Sequence, residues 1–169
     1  MTIFKTPKYN TVLVTGGSGF LGKRLSIIRP DWHYIGSDVC NLTSQNETRE
    51  LLEHVQPDAI VHLAAYVGGI KRNATQQVEF YENNTAINFN VISCARKAGI
   101  KRVLSALSTC AFPDIVTKYP YQSSALHAGP PAETNFTYGY TKRCLHVHSM
   151  ACKKQLGYAY DTFVPSNLF

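Results

Sequence analysis

Long apolar runs are missing from this sequence. None approaches the roughly 18 to 20 residues that a membrane-spanning helix requires, so no membrane partner is expected. The first ten residues, Met1 to Asn10, are too polar for a secretory signal. Paired cysteine motifs are missing too. Cys40, Cys94, Cys110, Cys144 and Cys152 are odd in number and none forms a CxxC, so neither a disulfide framework nor a metal site is expected. Reduced thiols in a cytoplasmic protein are the expectation. Without a secretion signal, Asn46-Glu47-Thr48 is a chance glycosylation triplet. Basic runs are the third absence. Lys and Arg number 17 against 11 Asp and Glu, a formal charge of +6, yet the cations stand as scattered pairs such as Lys23-Arg24 and Lys142-Arg143. Scattered pairs read as solvated faces, and a basic balance also suits anionic nucleotide ligands. Nucleic acid is not needed to explain it.

What remains is a globular composition. The 169 residues are 44% hydrophobic and 17% charged, enough for one domain with a real core. Its organising stretch is Val12-Leu13-Val14-Thr15 followed by Gly16-Gly17-Ser18-Gly19-Phe20-Leu21-Gly22. A short buried strand, a tight glycine turn and a helix start are the economical reading. Glycine lets backbone take positive φ and approach a phosphate, while the opening N–H groups of the helix face outward with the positive end of its dipole. Residues 16–22 are therefore candidate diphosphate contacts of a dinucleotide, with an ordinary glycine turn as the plain alternative.

A helix over 23–28 is stopped by Pro30, and a second strand over 33–36 follows. Asp38 then falls near the spacing of the acidic residue that binds the adenosine ribose, although a loop-capping aspartate would look the same. A helix over 47–55 leads to the apolar run 59–63, which ends in Leu63-Ala64-Ala65, small enough for a ligand to lie against. Residues 66–73 read as a loop and 83–99 as a long helix, whose asparagines 83, 84, 88 and 90 are either polar contacts near the site or surface. The fourth strand, 102–107, delivers Ser108-Thr109-Cys110. Residues 112–135 hold four prolines and read as a long excursion. A helix over 138–155 and a fifth strand over 158–164 complete an α/β, doubly wound parallel sheet of the Rossmann type. Ligands in such a sheet sit at the C-terminal ends of the strands.

Tyr138 and Lys142 stand four apart, so they share a helix face. An ammonium beside a phenol favours the phenolate and brings its pKa toward working range. An exposed Tyr/Lys pair is the plain alternative, but Ser108 at the end of the fourth strand can meet the tyrosine across the crevice. Together Thr15 to Gly22, Leu63-Ala64-Ala65, Ser108, Tyr138 and Lys142 resemble the extended short-chain dehydrogenase/reductase family. Tyr66-Val67-Gly68-Gly69-Ile70, Ser108-Thr109-Cys110-Ala111-Phe112-Pro113, Ala128-Gly129-Pro130-Pro131 and Val164-Pro165-Ser166-Asn167-Leu168 resemble its GDP-L-fucose synthase branch.

That resemblance implies a GDP-sugar substrate and an NADPH-dependent epimerase/reductase acting on GDP-4-keto-6-deoxy-D-mannose. It implies Tyr138 as general acid, Lys142 holding the nicotinamide ribose, Ser108 orienting the keto oxygen and Cys110 as the base of the epimerisation. Asn41 and Leu42 would lie on the adenine side, and Ala106, Leu107, Pro165, Asn167 and Leu168 would complete the cofactor contacts. Cys94, Cys144 and Cys152 are expected to pack helices and Cys40 to lie near the adenosine.

Members of the family are about twice this long. They place a histidine partner for the epimerisation just after the position matching Phe169, and a C-terminal substrate lobe after it. Residues 1–169 therefore correspond to the NAD(P)-binding Rossmann domain of an incomplete extended member, and activity of the 169-residue chain alone is not expected from them. Ser37 and Asp38 stand where the family carries basic residues near the ribose 2′-phosphate, so NADP is implied with NAD kept open. The family's usual contact implies a homodimer through helices 83–99 and 138–155, with Ile87, Val91, Val147 and Met150 as contacts. The alternatives are a nucleotide-binding or structural subunit completed by another chain, or an enzyme for another sugar nucleotide. Cys110 argues against a UDP-hexose 4-epimerase, which takes no proton from carbon.

Overall fold

Each apolar run of the sequence becomes a strand of one parallel sheet. A computed structural model describes residues 9–115 and 119–166. The strands are β1 (Val12–Thr15), β2 (His33–Ile35), β3 (Ala59–His62), β4 (Arg102–Ala106) and β5 (Ala159–Phe163), all parallel in the order β2-β1-β3-β4-β5. The helices are α1 (Phe20–Ile28), α2 (Gln45–Val55), α3 (Ile70–Thr75), α4 (Gln77–Lys97) and α5 (Phe136–Leu156). The strand order reverses between β1 and β3, which opens a crevice at their C-terminal ends.

Register explains the core. Leu13 pairs with Ile60, Ile60 with Val103 and Val103 with Tyr160, so one row crosses four strands and every member is fully buried. Val91, Ile92 and Ala95 of α4 and Leu145 of α5 pack in the same cluster. Two positions further along, the same face carries Thr15, His62, Ser105 and Thr162, a polar row at the carboxyl ends of the strands. The sheet is thus apolar in its middle and polar where a ligand would sit.

All four helices read from the sequence start earlier than the reading places them, α1 at Phe20 rather than Lys23 and α2 at Gln45 rather than Glu47. α4 begins at Gln77 rather than Asn83, and α5 at Phe136 rather than Tyr138. Neither α4 nor α5 has a side-chain cap, so nothing local marks the start, whereas α2 is capped by Ser44, whose hydroxyl accepts from the Glu47 N–H at 3.3 Å. The stretch read as a loop over 66–73 holds the start of α3, and Asn73 ties it by donating to the Gly68 carbonyl at 2.9 Å. The described residues of 112–135 are irregular as read, apart from short 3-10 segments at Ser123–His127 and Glu133–Asn135.

Candidate functional site

A cavity of about 450 Å³ opens where the strand order reverses, walled by the glycine turn, the ends of β2 and β3, and α4. Gly16 has φ +73°, and a Cβ there would lie 2.7 Å from the Ala64 nitrogen. A Cβ on Gly22 would lie 2.5 Å from the Gly16 carbonyl, so α1 can rest directly on the turn only with glycine at that position. Gly17 and Gly19 have already spent their N–H groups, donating to Ile35 O at 2.7 Å and Gly16 O at 3.0 Å. Gly17 in fact packs against Tyr34 and is not part of the cavity wall. That corrects the expectation that every residue of 16–22 faces the ligand: Gly17 fastens the turn to β2. Phe20, Leu21 and Gly22 do line the cavity and open α1, where no helical carbonyl precedes them to accept their N–H groups.

The next wall is built by Gly36, Ser37 and Cys40 to Thr43. Asn41 shapes it by accepting from Thr43 N at 3.1 Å and Thr43 Oγ1 at 2.7 Å. From α4, the buried Asn90 donates to the carbonyls of Leu42 at 3.0 Å and Thr43 at 2.9 Å. Asp38 stands exposed and lines no part of the cavity, its carboxylate close to Gly36.

Leu63, Ala64, Ala65 and Tyr66 form the side under β3. Asn84, fully buried on α4, accepts from Tyr66 N at 2.9 Å and donates to Tyr66 O at 2.9 Å and Phe80 O at 2.8 Å. Deeper in, His62 bridges Thr15 Oγ1 at 2.8 Å and Asn88 Oδ1 at 3.2 Å. An amide oxygen can only accept, so if Oδ1 faces the ring, Nε2 carries the proton and Nδ1 accepts from Thr15. Burial, and then the nearby Lys142 ammonium, push the His62 pKa down to about 3. His62 is a neutral strut.

At the end of β4 the four expected chemical residues come together. Ser108 Oγ accepts from Cys110 N at 3.2 Å and starts the 3-10 turn Thr109–Ala111. Gly139 lets α5 press on that turn, since a Cβ would lie 2.5 Å from the Cys110 carbonyl. Lys142 is buried, donates to Ala106 O at 2.9 Å and sits 5.8 Å from the centre of the Tyr138 ring. Burial brings its pKa down to about 8. Burial pushes the Tyr138 phenol up to about 12, the Cys110 sulfur adds to this, and a hydrogen bond with Ser108 pulls the other way. The expected lowering of the phenol by Lys142 is therefore not met. The ammonium faces the ring and a backbone carbonyl, and desolvation of the phenolate dominates.

Arg143, read from the sequence as one of a solvated pair with Lys142, is instead buried and donates Nε to Ala111 O at 2.6 Å, while its Nη2 has no partner among the described residues. Ala106 and Leu107 lie buried at the strand end and Pro165 is half-buried after β5. Asn167 and Leu168 fall outside the described residues. Cys40 lines the cavity as expected, Cys94 and Cys152 are buried, and Cys144 is exposed rather than packed. Ile87 lines the cavity and Val91 is core, so neither is a surface contact. Among the described residues no cluster of three or more His, Cys, Asp or Glu could hold a metal, and no helix is long and apolar enough to cross a membrane.

A family model described as the NAD dependent epimerase/dehydratase family matches residues 12–169. The chain is 37% identical over 172 residues to a GDP-L-fucose synthase of Dictyostelium discoideum, covering 98% of this chain and 53% of that protein. It is 38% identical over 165 residues to a probable GDP-L-fucose synthase of Drosophila melanogaster, covering 94% and 51%. A crystal structure of a GDP-L-fucose synthetase from Naegleria fowleri bound to NADP superposes with a TM-score of 0.82 at 33% identity, over 95% of this chain and 51% of that one. The chain spans about half the length of the curated relatives it matches.

Proposed function

The chain belongs to the NAD dependent epimerase/dehydratase family, and we propose that it is the dinucleotide-binding domain, residues 1–169, of a 3,5-epimerase/4-reductase that makes GDP-L-fucose from GDP-4-keto-6-deoxy-D-mannose. The convergence of Ser108, Cys110, Tyr138 and Lys142 at the end of β4 carries this reading. The relatives of the same printed activity support it.

The residues present fit a nicotinamide dinucleotide. Gly16 and Gly22 let the turn pack tightly against Ala64 and α1, Gly19 to Gly22 line the cavity where a diphosphate would meet the first turn of α1, and Leu63 to Ala65 form a wall beside it. Lys142 would hold the nicotinamide ribose and Pro165, Asn167 and Leu168 its far side. The cofactor, NADP as in the Naegleria relative or NAD, would in its reduced form supply a hydride for C4.

Protons α to the 4-keto group at C3 and C5 are acidic because the enolate spreads charge onto the carbonyl oxygen. Cys110 removes them, and a proton returned on the opposite face inverts each centre. Ser108 donates a hydrogen bond to the keto oxygen and fixes it toward Tyr138. As C4 is reduced, its oxygen becomes an alkoxide and takes the Tyr138 proton. A phenol held protonated by burial suits this donor role, since the alkoxide is the stronger base. The test is turnover of the 4-keto sugar by the full-length protein. Tyr138→Phe is expected to abolish reduction, and unchanged turnover would sink the assignment.

We also place the protein in the cytoplasm, where its cysteines stay free, and assign it a homodimer through α4 and α5. Phe89 and Val147 remain exposed on those helices, 52% and 57% accessible, and flank an apolar groove of about 360 Å³.

A further inference from the structure

We infer that Arg72, held on Tyr66, binds the diphosphate of the sugar-nucleotide substrate. This rests on the proposed reaction and extends it to a residue that lines no part of the dinucleotide cavity. Arg72 is an exposed arginine of α3, held in place by neutral groups alone. Its Nη2 donates to the Tyr66 hydroxyl at 2.7 Å and its Nε to Gln76 Oε1 at 3.1 Å. The guanidinium stands 5.3 Å from the centre of the Tyr66 ring and 5.8 Å from that of Phe80. Gly68 makes room for this, since a Cβ there would lie 3.0 Å from the Phe80 ring and 3.1 Å from Arg72 Cβ. Among the described residues no carboxylate forms an ion pair with Arg72. Fixing an exposed arginine costs side-chain entropy, and no protein anion offsets that cost. A guanidinium so preorganised is fitted to a two-point contact with a phosphate.

Its position selects the anion. One fully buried ring, Phe80, stands between Arg72 and the chemical residues, edge-to-face with Tyr66 at 5.1 Å and with Tyr138 at 6.3 Å. Asn84 fixes the Tyr66 backbone from α4, so the arginine's platform and the Tyr138 phenol share one frame. A pyranose whose C4 carbonyl rests at Tyr138 carries its diphosphate on C1, on the opposite side of the same ring. The phosphates then lie about one sugar ring from Tyr138, and the guanidinium lies one aromatic ring from it. Tyr66 adds a second donor. Its oxygen accepts from Arg72, which leaves its own proton for the same phosphate.

The experiment is calorimetric titration of the full-length protein with GDP, guanosine and NADPH, alongside steady-state turnover of the 4-keto sugar. Arg72→Gln removes the charge and keeps a polar side chain of similar reach. It is expected to weaken GDP about tenfold and to raise KM for the sugar nucleotide by a similar factor. Guanosine and NADPH affinities should be unchanged, the latter reporting an intact fold, and kcat should be largely kept. The GDP deficit should shrink as salt is raised, because an exposed cation is screened. Arg72→Lys should recover part of the loss, and Tyr66→Phe should weaken GDP by a smaller factor. Unchanged GDP affinity in Arg72→Gln, or a loss that falls on NADPH instead, would overturn the role of Arg72 while leaving the epimerase/reductase reading intact. A fall in kcat at unchanged KM would also overturn it, making Arg72 a positioning residue for Tyr138. A wild-type protein that binds neither GDP nor NADPH would overturn both.

Discussion

Tyr138 and His62 show what burial does to a single ionisable group. For the phenol, desolvation outweighs the nearby ammonium, which leaves an acid rather than a base. For His62 the same effect has a consequence for folding. Its pKa is about 3 folded against 6.5 unfolded, so between these values the unfolded chain binds the extra proton. Stability from this group is present above pH 6.5 and is lost as pH falls toward 3, with a slope approaching about 1.4 kcal/mol per unit. Urea melts between pH 4.5 and 6.5 should show a steeper decline for the wild type than for His62→Gln. Equal slopes would mean the ring is not buried neutral. Arg143 makes a second case. Arg143→Met removes the donor to Ala111 O but also an uncompensated buried cation, so global stability should move little. The turn bearing Ser108 and Cys110 should drift, lowering turnover by on the order of 10- to 100-fold with dinucleotide affinity kept. A fall in both together would make Arg143 merely a core residue.

Among the elements, α4 does the most to build the site. Asn84 and Asn88 share one buried face and Asn90 lies on another, and they reach, in turn, the loop after β3, His62 and the loop after β2. Their composition flags them, since asparagine is a poor helix former, but periodicity could not tell a buried clamp from a wet surface. Asn84→Leu should destabilise by about 2 kcal/mol, because it strands the Tyr66 N–H and carbonyl in a buried setting. The measurement is the denaturant midpoint, read alongside NADH affinity, which should also fall. The strands, by contrast, were legible as continuous apolar runs because both sheet faces are partly covered. Helix starts were not legible: even α2, capped by Ser44, begins at Gln45 rather than at Glu47 as read, and α4 has no side-chain cap.

At the scale of the molecule, one face of the sheet is closed by α4 and α5, yet these helices leave Phe89, Val147 and the exposed Cys144 outward. A contiguous apolar stripe of this kind favours a second copy. Val147→Asp together with Phe89→Asp should convert a dimer to a monomer in sedimentation without loss of NADH affinity. A wild-type monomer at micromolar concentration would remove the proposal. The sequence reading offered Ile87 and Val91 as contacts on these helices, but Ile87 lines the cavity and Val91 is core.

The sequence by itself determined the parallel α/β sheet, the glycine turn after β1 and the shared helix face of Tyr138 and Lys142, while Cys110 entered only through the family resemblance. These rest on local facts: apolar runs make buried strands, glycine alone fits the turn, and four residues span one helical turn. Only the tertiary structure decided that Gly17 fastens the turn instead of facing the ligand, that three asparagines and His62 scaffold the site, and that the Tyr138 phenol stays protonated. Those depend on what lies across space from each group, on desolvation and on hydrogen-bond partners tens of residues away, and no local pattern encodes them.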